Sequence, residues 1–228
     1  LFTDPNRNLR REALRALGAS AASEFFDLAA SLADDFDPEV RAELIRSAAR
    51  FLGKDDRALP LLLAMAKPAL DLPIARNTQT GKPMKVREAY DRDFERYLVR
   101  AALEKFPDLV AKFLDKTTSL PIESRLLAAL ALEPKRSAAL IGGYLGKLDR
   151  LPNDEELLRV AEHLDQPGAG EALKALLQNA ATRAFTSEAL LRGRTRFDTA
   201  RLKPLLADAA AHLLKADFAL GCRLISGF

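Results

Sequence analysis

Side chains capable of catalysis or metal binding are scarce in this sequence. The chain has two histidines, His163 and His212, and a single cysteine, Cys222. Neither histidine belongs to a His-Glu-x-x-His pair, and no Ser or Cys lies in a recognisable nucleophile motif, so zinc-dependent hydrolysis and triad chemistry have no candidates. One cysteine excludes an internal disulfide and a Cys-rich metal site, and we expect it to be a buried, small apolar residue. The sequence therefore predicts no catalytic residue, no metal and no cofactor.

A phosphate-binding loop is suggested only weakly, by Gly81-Lys82. Arg76 occupies the position where such a loop needs its first glycine, and Pro83 replaces the Ser or Thr that would follow the lysine. Without a glycine-rich backbone the segment cannot cradle phosphates. We therefore expect no nucleotide site there.

Two clusters of basic residues are the candidate binding sites. Residues 76–105 contain eight basic and five acidic residues, and residues 183–203 contain six basic and two acidic ones. Side chains four positions apart share one helix face, so the first cluster forms a ridge that could bind a polyanion or an acidic protein. The candidate binding residues are Arg76, Lys82, Lys85, Arg92, Arg96, Arg100, Arg192, Arg194 and Arg196.

Internal ion pairing is the competing interpretation of the ridge. Neighbouring carboxylates at helix spacing could neutralise it, leaving a solvated face that binds nothing. These pairings would be Arg92 with Glu88, Arg96 with Asp93 or Glu95, and Arg100 with Glu104. The second cluster is more lopsided, because Glu188 and Asp198 are the only acidic residues within it.

Helices must position all of these residues. Hydrophobic residues make up 48% of the 228, Leu and Ala dominate, Trp is absent, and we find no convincing strand. Unbranched side chains lose little rotamer freedom in a helix, so this composition favours an all-α fold. Residues 92–105 are predicted to form one such helix, with Phe94, Tyr97, Leu98 and Ala101 on its apolar face.

A repeat of 31 residues organises the beginning of the chain. Asp4-Pro5 opens a helix over residues 7–17 that Gly18 is expected to end, and Asp37-Pro38 opens the next helix. Shifting the sequence by 31 residues superimposes Leu9-Arg10 on Val40-Arg41. Self-similarity at this period indicates stacked helix pairs.

The repeated residues resemble HEAT repeats of the armadillo-type superfamily. The matching patterns are Asp-Pro-x-x-x-Leu-Arg-x-x-Ala-x-x-Ala-Leu at 4–17 and Asp-Pro-x-Val-Arg at 37–41. The resemblance implies an α-α superhelix of about five to six helix pairs, with the second helix of each pair on the concave face. It also implies a structural ladder between repeats, formed by Asp4, Arg10, Asp37 and Arg41.

A second stretch is similar to the HEAT-repeat portion of very large exported bacterial proteins. It reads Glu-Ala-Tyr-Asp at 88–91 and Phe-Glu-Arg-Tyr-Leu-Val-Arg-Ala-Ala-Leu-Glu at 94–104. Those proteins join a sugar-dehydrogenase-like propeller to helical repeats and a haem-binding cytochrome domain. The sequence contains no Cys-x-x-Cys-His, so neither activity is carried over. The resemblance implies a periplasmic location, which the composition leaves open.

Residues 68–91 interrupt the rhythm of the repeats. Pro68, Pro73, Gly81 and Pro83 make this an insertion loop, and connections between packed helices typically run about 2–8 residues. Such a loop could bind a partner or simply cover the array. We otherwise expect residues 1–228 to form one array, cut from a longer protein.

Three functions from different classes are compatible with this architecture. The leading hypothesis is a non-catalytic protein-interaction or spacer module of a multidomain protein. The alternative is a nucleic-acid or polyanion binder using the basic clusters, although the formal net charge of +3 is small. An alkylpurine DNA glycosylase, a HEAT-like enzyme of similar length, is disfavoured because its base-stacking pocket uses Trp and this chain has none.

Overall fold

Helices form most of the chain in the computed structural model. They group into two compact units, Leu1–Ala131 and Leu132–Phe228. The all-α helical-repeat fold predicted from the sequence is confirmed. One continuous array over residues 1–228 stays a prediction. The structure describes residues 1–20, 24–70, 72, 75–76, 78–81, 83–117 and 119–228.

None of the helices within those ranges is both long and apolar enough to cross a membrane.

The first unit contains seven α-helices among its described residues. Helices α1, α3 and α5 pack side by side as one layer, α4 packs on α3, α5 and α7, and α6 packs on α7. Phe25, Phe26 and Phe51 form an aromatic cluster in the core, with ring centroids 4.8–5.2 Å apart. The bounds are α1 (Arg7–Ser20), α2 (Phe25–Ala29), a 3-10 turn (Ala30–Leu32), α3 (Pro38–Ala49), α4 (Ala58–Met65), α5 (Arg87–Leu103), α6 (Pro107–Lys116) and α7 (Ile122–Leu130).

A short hairpin lies within the insertion, where no strand was predicted. Strands β1 (Ala75–Arg76) and β2 (Pro83–Met84) are antiparallel, with Ala75 opposite Met84. Helix α5 begins at Arg87, five residues before the predicted start, so the interruption is shorter than 68–91. A two-residue pairing is too short to leave an alternating pattern in the sequence.

The second unit has two layers of helices. Helices α8, α10 and α12 pack in one layer, α9, α11 and α13 pack in the other, and consecutive helices contact each other. The sequence-based assignment stopped at residue 215 and missed α13. The bounds are α8 (Pro134–Leu145), α9 (Asp154–Glu162), α10 (Ala169–Gln178), α11 (Ala180–Gly193), a 3-10 turn (Arg194–Arg196), α12 (Thr199–Ala216) and α13 (Phe218–Gly227).

Two helix starts are stabilised by side-chain caps. The Asp37 carboxylate accepts hydrogen bonds from the backbone N–H groups of Glu39 and Val40 at the start of α3. Asn153 and Glu156 form a reciprocal capping box on α9. Each satisfies amide groups that a helix leaves without an internal partner.

Helix α1 begins at Arg7, as predicted, but Asp4 is not its capping residue. The Asp4 carboxylate accepts from the backbone N–H of Asn6, and the Asn6 side chain accepts from the N–H of Asn8. Asn6 therefore occupies the capping position, two residues later than expected.

Gly18 does not end α1 but lies inside it, buried against α3. A methyl group at this position would approach the Ser47 Cβ to 2.8 Å. The buried face of α1 is Arg10, Leu14 and Gly18, whereas Leu9 is exposed. Helix α1 therefore buries a charged residue, Arg10, in place of the preceding leucine.

Substituting Gly18 tests how closely α1 and α3 are packed. Gly18→Ala should lower the free energy of unfolding by about 1–3 kcal/mol, because the added methyl group overpacks the contact with Ser47. The matched control is Gly143→Ala in α8, where the new Cβ meets nothing within 4 Å. The control should gain about 0.5–1 kcal/mol from helix propensity. Urea unfolding measures both, and equal effects of the two changes would contradict the close contact.

Candidate protein-binding surfaces

The insertion carries three of the sequence-predicted binding residues. Arg76 is exposed on β1, and Lys85 is exposed and pairs with Asp93 of α5. Lys82 lies outside the described residues. Of the cations described in the insertion, Lys85 is therefore already engaged by a carboxylate of α5.

The arginine ridge of α5 is occupied by contacts within the first unit. Arg92 Nε lies 3.8 Å from a Glu95 oxygen, and Arg100 Nε donates to Glu104 at 2.8 Å. Arg96 donates to the carbonyl of Lys67, 3.1 Å away, beyond the end of α4. The ridge therefore ties α5 to its own acidic residues and to the preceding helix.

The second cluster meets carboxylates of α9 that sequence proximity did not reveal. Arg192 binds both oxygens of Asp154, at 2.7 and 3.0 Å. Arg196 lies 2.6 Å from a Glu162 oxygen. Because α9 and α11 pack together, the acidic partners come from the preceding helix of the same layer. The surface is consequently less positive than the local sequence suggested.

Arg194 lines a cavity of about 560 Å³ in the second unit. Arg192 and Arg223 also line it, and Glu188 supplies a carboxylate. Arg223 of α13 is a basic residue that the sequence reading missed, because α13 itself was missed. Its guanidinium lies 3.1 Å from Glu188, so this cavity contains internal ion pairs as well.

A buried ion pair links the first two repeats. Arg10 donates from Nε and Nη2 to the two oxygens of Asp35, at 2.8 and 2.9 Å, and both side chains are about 95% buried. Its third nitrogen donates to the carbonyl of Asp4 at 2.6 Å. The ring of Phe36 covers the guanidinium at 4.8 Å. Such a bidentate pair fixes geometry as well as charge.

Arg41 on α3 repeats this arrangement in the next repeat. It donates to Glu95 of α5 at 2.7 Å and to the carbonyl of Asp35 at 2.5 Å. In both repeats the arginine reaches a carboxylate of the next helix pair and a carbonyl six residues before itself. Arg10 and Arg41, the expected ladder arginines, thus lie between consecutive helices of one layer.

The acidic members of the ladder differ from those expected. A shift of 31 residues places Asp4 on Asp35 and Asn6 on Asp37. The superimposed residues make equivalent hydrogen bonds in the two repeats. Asp35 accepts from the N–H of Asp37, as Asp4 accepts from the N–H of Asn6. Asp37 therefore caps α3 and also meets Arg7 at 3.2 Å, while Asp35 receives Arg10. The two Asp-Pro pairs are not equivalent, because they lie 33 rather than 31 residues apart.

The potentially reactive side chains are dispersed. His163 ends α9, and His212 is exposed on α12, 3.8 Å from Asp208. Cys222 is exposed on α13 and not buried as expected, since the buried residues of this helix are Leu220, Gly221 and Leu224. In the ranges that the structure describes, no three His, Cys, Asp or Glu residues are grouped as metal ligands.

A row of three aromatic residues runs along α5, with two exposed tyrosines and a half-buried phenylalanine between them. The rings of Tyr90, Phe94 and Tyr97 are nearly parallel, with successive centroids 6.5 and 6.4 Å apart. Tyr90 is 61% exposed and Tyr97 is 63% exposed. The sequence reading placed Phe94 and Tyr97 on the buried face. That face instead carries Ala89, Glu95 and Val99.

A groove of about 360 Å³ opens beside this row, and we call it the aromatic groove. It crosses the layer of α1, α3 and α5, so it lies on the first helices of the repeats. The Arg46 guanidinium lies 5.9 Å from the Phe94 ring, within reach of a cation–π contact. The lining residues are Arg11, Pro38, Glu39, Ala42, Arg46, Arg87, Tyr90, Asp91 and Phe94.

The charges in the aromatic groove are unevenly balanced. Glu39 binds Arg11 at 2.7 Å, and Asp91 lies 3.6 Å from Arg87. Arg46 has a weaker contact, 3.8 Å from Glu43, and that carboxylate lies closer to Arg15, at 3.3 Å. Three arginines against two carboxylates leave the lining at +1. Arg46 is the cation best placed to meet an external acid.

Comparison with known proteins supports the repeat architecture. Residues 1–76 match the family model for HEAT repeats. Together with the all-helical fold, this match confirms the HEAT-repeat resemblance. No curated protein and no solved structure matches the chain. The similarity to exported multidomain proteins stays a prediction.

Removing Asp35 tests the buried pair. Asp35→Ala should lower the free energy of unfolding by about 3–5 kcal/mol, because Arg10 remains buried without its carboxylate. The control is Asp34→Ala, the neighbouring carboxylate, which is exposed and pairs with Lys67 on the surface. The control should change the urea midpoint little. A similar loss in both variants would show that the pair does not hold the repeats together.

Asp37 predicts a pH dependence of stability. Burial raises the pKa of its carboxyl, but hydrogen bonds from Glu39 N–H, Arg7 and Val40 N–H outweigh burial and hold the pKa below 3.8. This stabilisation is present above the ordinary pKa and is lost as the pH falls through the lowered value. The stability difference between wild type and Asp37→Asn should therefore be greatest near neutral pH and shrink below about pH 4. Urea unfolding across this pH range measures the stability difference. A difference that does not change with pH would show that the charge of Asp37 does not contribute to stability.

Proposed function

With HEAT repeats at its N-terminal end, a kind of repeat that generally serves protein interaction or scaffolding, we propose that the chain is a non-catalytic protein-binding module. The aromatic groove across α1, α3 and α5 is its docking surface. The observation that carries the proposal is the row of Tyr90, Phe94 and Tyr97 on the exposed side of α5.

Exposed tyrosines that lie beside a groove are typical of surfaces that a partner covers. Aromatic residues and arginine are enriched where protein interfaces are buried, and Tyr and Arg are frequent among the residues that dominate affinity. The groove offers both residue types at one place, with Arg46 beside the Phe94 ring. A tyrosine contributes a large apolar area together with a polar hydroxyl, which suits a surface that alternates between water and a partner.

Polyanion binding is the alternative, supported by the arginine-lined cavity of the second unit. Phosphate backbones bind through several cations at once, and the released counterions make the affinity fall steeply with salt. Arg192 and Arg223, two of the arginines there, are engaged by Asp154 and Glu188. Protein binding at the aromatic groove is therefore favoured.

A place within a longer polypeptide belongs to the same proposal. A stack of helix pairs can hold flanking domains at a fixed separation while its surface binds a partner. The similarity of residues 88–104 to the repeat portion of exported multidomain proteins supports this context. It also suggests a periplasmic location.

Replacing the exposed tyrosines tests the docking surface. The double variant Tyr90→Ser, Tyr97→Ser should lose capture of a protein partner from an extract of the source organism. Each aromatic anchor contributes about 2 kcal/mol, or roughly 30-fold in affinity. The control is Phe218→Ser, which removes an aromatic residue that is 70% exposed on α13. Quantitative mass spectrometry of the captured proteins provides the measurement.

Two results would contradict this proposal. Undiminished capture by the double variant, with a melting temperature equal to that of the wild type, would place binding elsewhere. Retention of DNA that falls steeply between low and moderate salt, with no captured protein, would favour the polyanion alternative.

A further inference from the structure

We infer that the aromatic groove binds an extended peptide segment with apolar side chains at alternate residues and an acidic residue opposite Arg46. This inference rests on the proposed function, because it specifies the partner of the same groove. Two features carry it: the spacing of the aromatic row beside the groove, and the balance of charge in the groove lining.

The spacing of the rings matches an extended chain. Successive centroids of Tyr90, Phe94 and Tyr97 are 6.5 and 6.4 Å apart. An extended strand rises about 3.3 Å per residue, so side chains on the same face recur every ~6.6 Å. Three alternate side chains of a five-residue segment can therefore each meet one ring.

The volume of the groove limits how deeply a partner can enter. A helix with its side chains is about 10–12 Å across, so the ~360 Å³ between α3 and α5 admits side chains of a partner while its backbone remains at the rim. A helical partner would present side chains of one face at alternating rises of about 6.0 and 4.5 Å, which match the nearly equal ring spacing less well than an extended chain does.

The charge of the groove selects an acidic residue in the partner. Glu39 lies nearest Arg11 and Asp91 nearest Arg87, whereas the Glu43 carboxylate beside Arg46 lies closer to Arg15. A carboxylate arriving beside Arg46 would thus meet this guanidinium as its partner. A basic peptide would leave Arg46 opposed by like charge.

Single-stranded nucleic acid fits these features less well. Aromatic platforms do stack bases, but binding of the phosphate backbone needs a groove of consistently positive charge. Glu39 and Asp91 both line this groove, so its net charge is only +1. The carboxylates would repel successive phosphates, while they can accept hydrogen bonds from a peptide backbone.

Selection from a peptide library tests the inference. The immobilised full chain is offered a phage-displayed library of random twelve-residue peptides, with counter-selection on the double variant Tyr90→Ser, Tyr97→Ser. We expect enrichment of peptides with apolar residues at alternate positions and at least one Asp or Glu. Their binding should be lost on the double variant, whose melting temperature should equal that of the wild type.

A charge variant tests the role of Arg46. Fluorescence polarisation with a selected peptide should show about tenfold weaker binding to Arg46→Gln, because a charge-assisted hydrogen bond is lost. The control is Arg50→Gln, which removes an exposed cation just beyond the same helix, outside the groove lining. The control should bind within about twofold of the wild type.

The possible failures are distinguishable from one another. Groove-dependent peptides with apolar residues three and four apart, or with basic residues, would overturn the inference and leave protein binding at the groove intact. Absence of any groove-dependent peptide would also overturn it, and capture from the extract then decides the proposed function separately. Binding of oligo-dT that is lost on the double variant and falls steeply with salt would replace the peptide by nucleic acid.

Discussion

The buried pair between Arg10 and Asp35 determines how the first two helix pairs fit together. A guanidinium with its side chain only 4% exposed requires a carboxylate in a fixed place, so α1 and α3 can adopt one relative position. Buried ion pairs add little net stability over apolar side chains of the same size, but losing one partner is costly. The pair therefore mainly fixes the relative position of α1 and α3. Arg41 and Glu95 extend the same constraint from α3 to α5.

The same kind of pairing explains why the many arginines of the chain leave little unneutralised positive charge on its surface. An arginine is long enough to reach the neighbouring helix of its layer, and its fork of donors suits a carboxylate or a row of carbonyls. Arg10, Arg41 and Arg192 all use this reach, to Asp35, Glu95 and Asp154. Arginine content in a stacked array therefore reports contacts between repeats before it reports a partner.

The sequence predicts local features of this fold better than the contacts between helices. The cap at Asp37 depends on residues two and three positions away, and the start of α3 at this point was read correctly. The partners of Arg10, Arg41 and Arg192 lie 25, 54 and 38 residues away, and no local pattern identifies them. Gly18 looked like a helix end because glycine commonly serves that purpose, although here its missing side chain admits Ser47.

Phe94 and Tyr97 of the aromatic row were assigned to the wrong face of a helix, and Tyr90 was placed in the insertion before it. Tyr90, Phe94 and Tyr97 recur at helical spacing, which ordinarily marks the buried side of an amphipathic helix. The face was assigned wrongly because Glu95, the partner of Arg41, lies on the buried side of α5. Its burial turns the aromatic side chains outward. The pairing that aligns α3 with α5 therefore also creates the aromatic row. The position of the aromatic groove therefore depends on the Arg41–Glu95 pair, even though neither residue lines it.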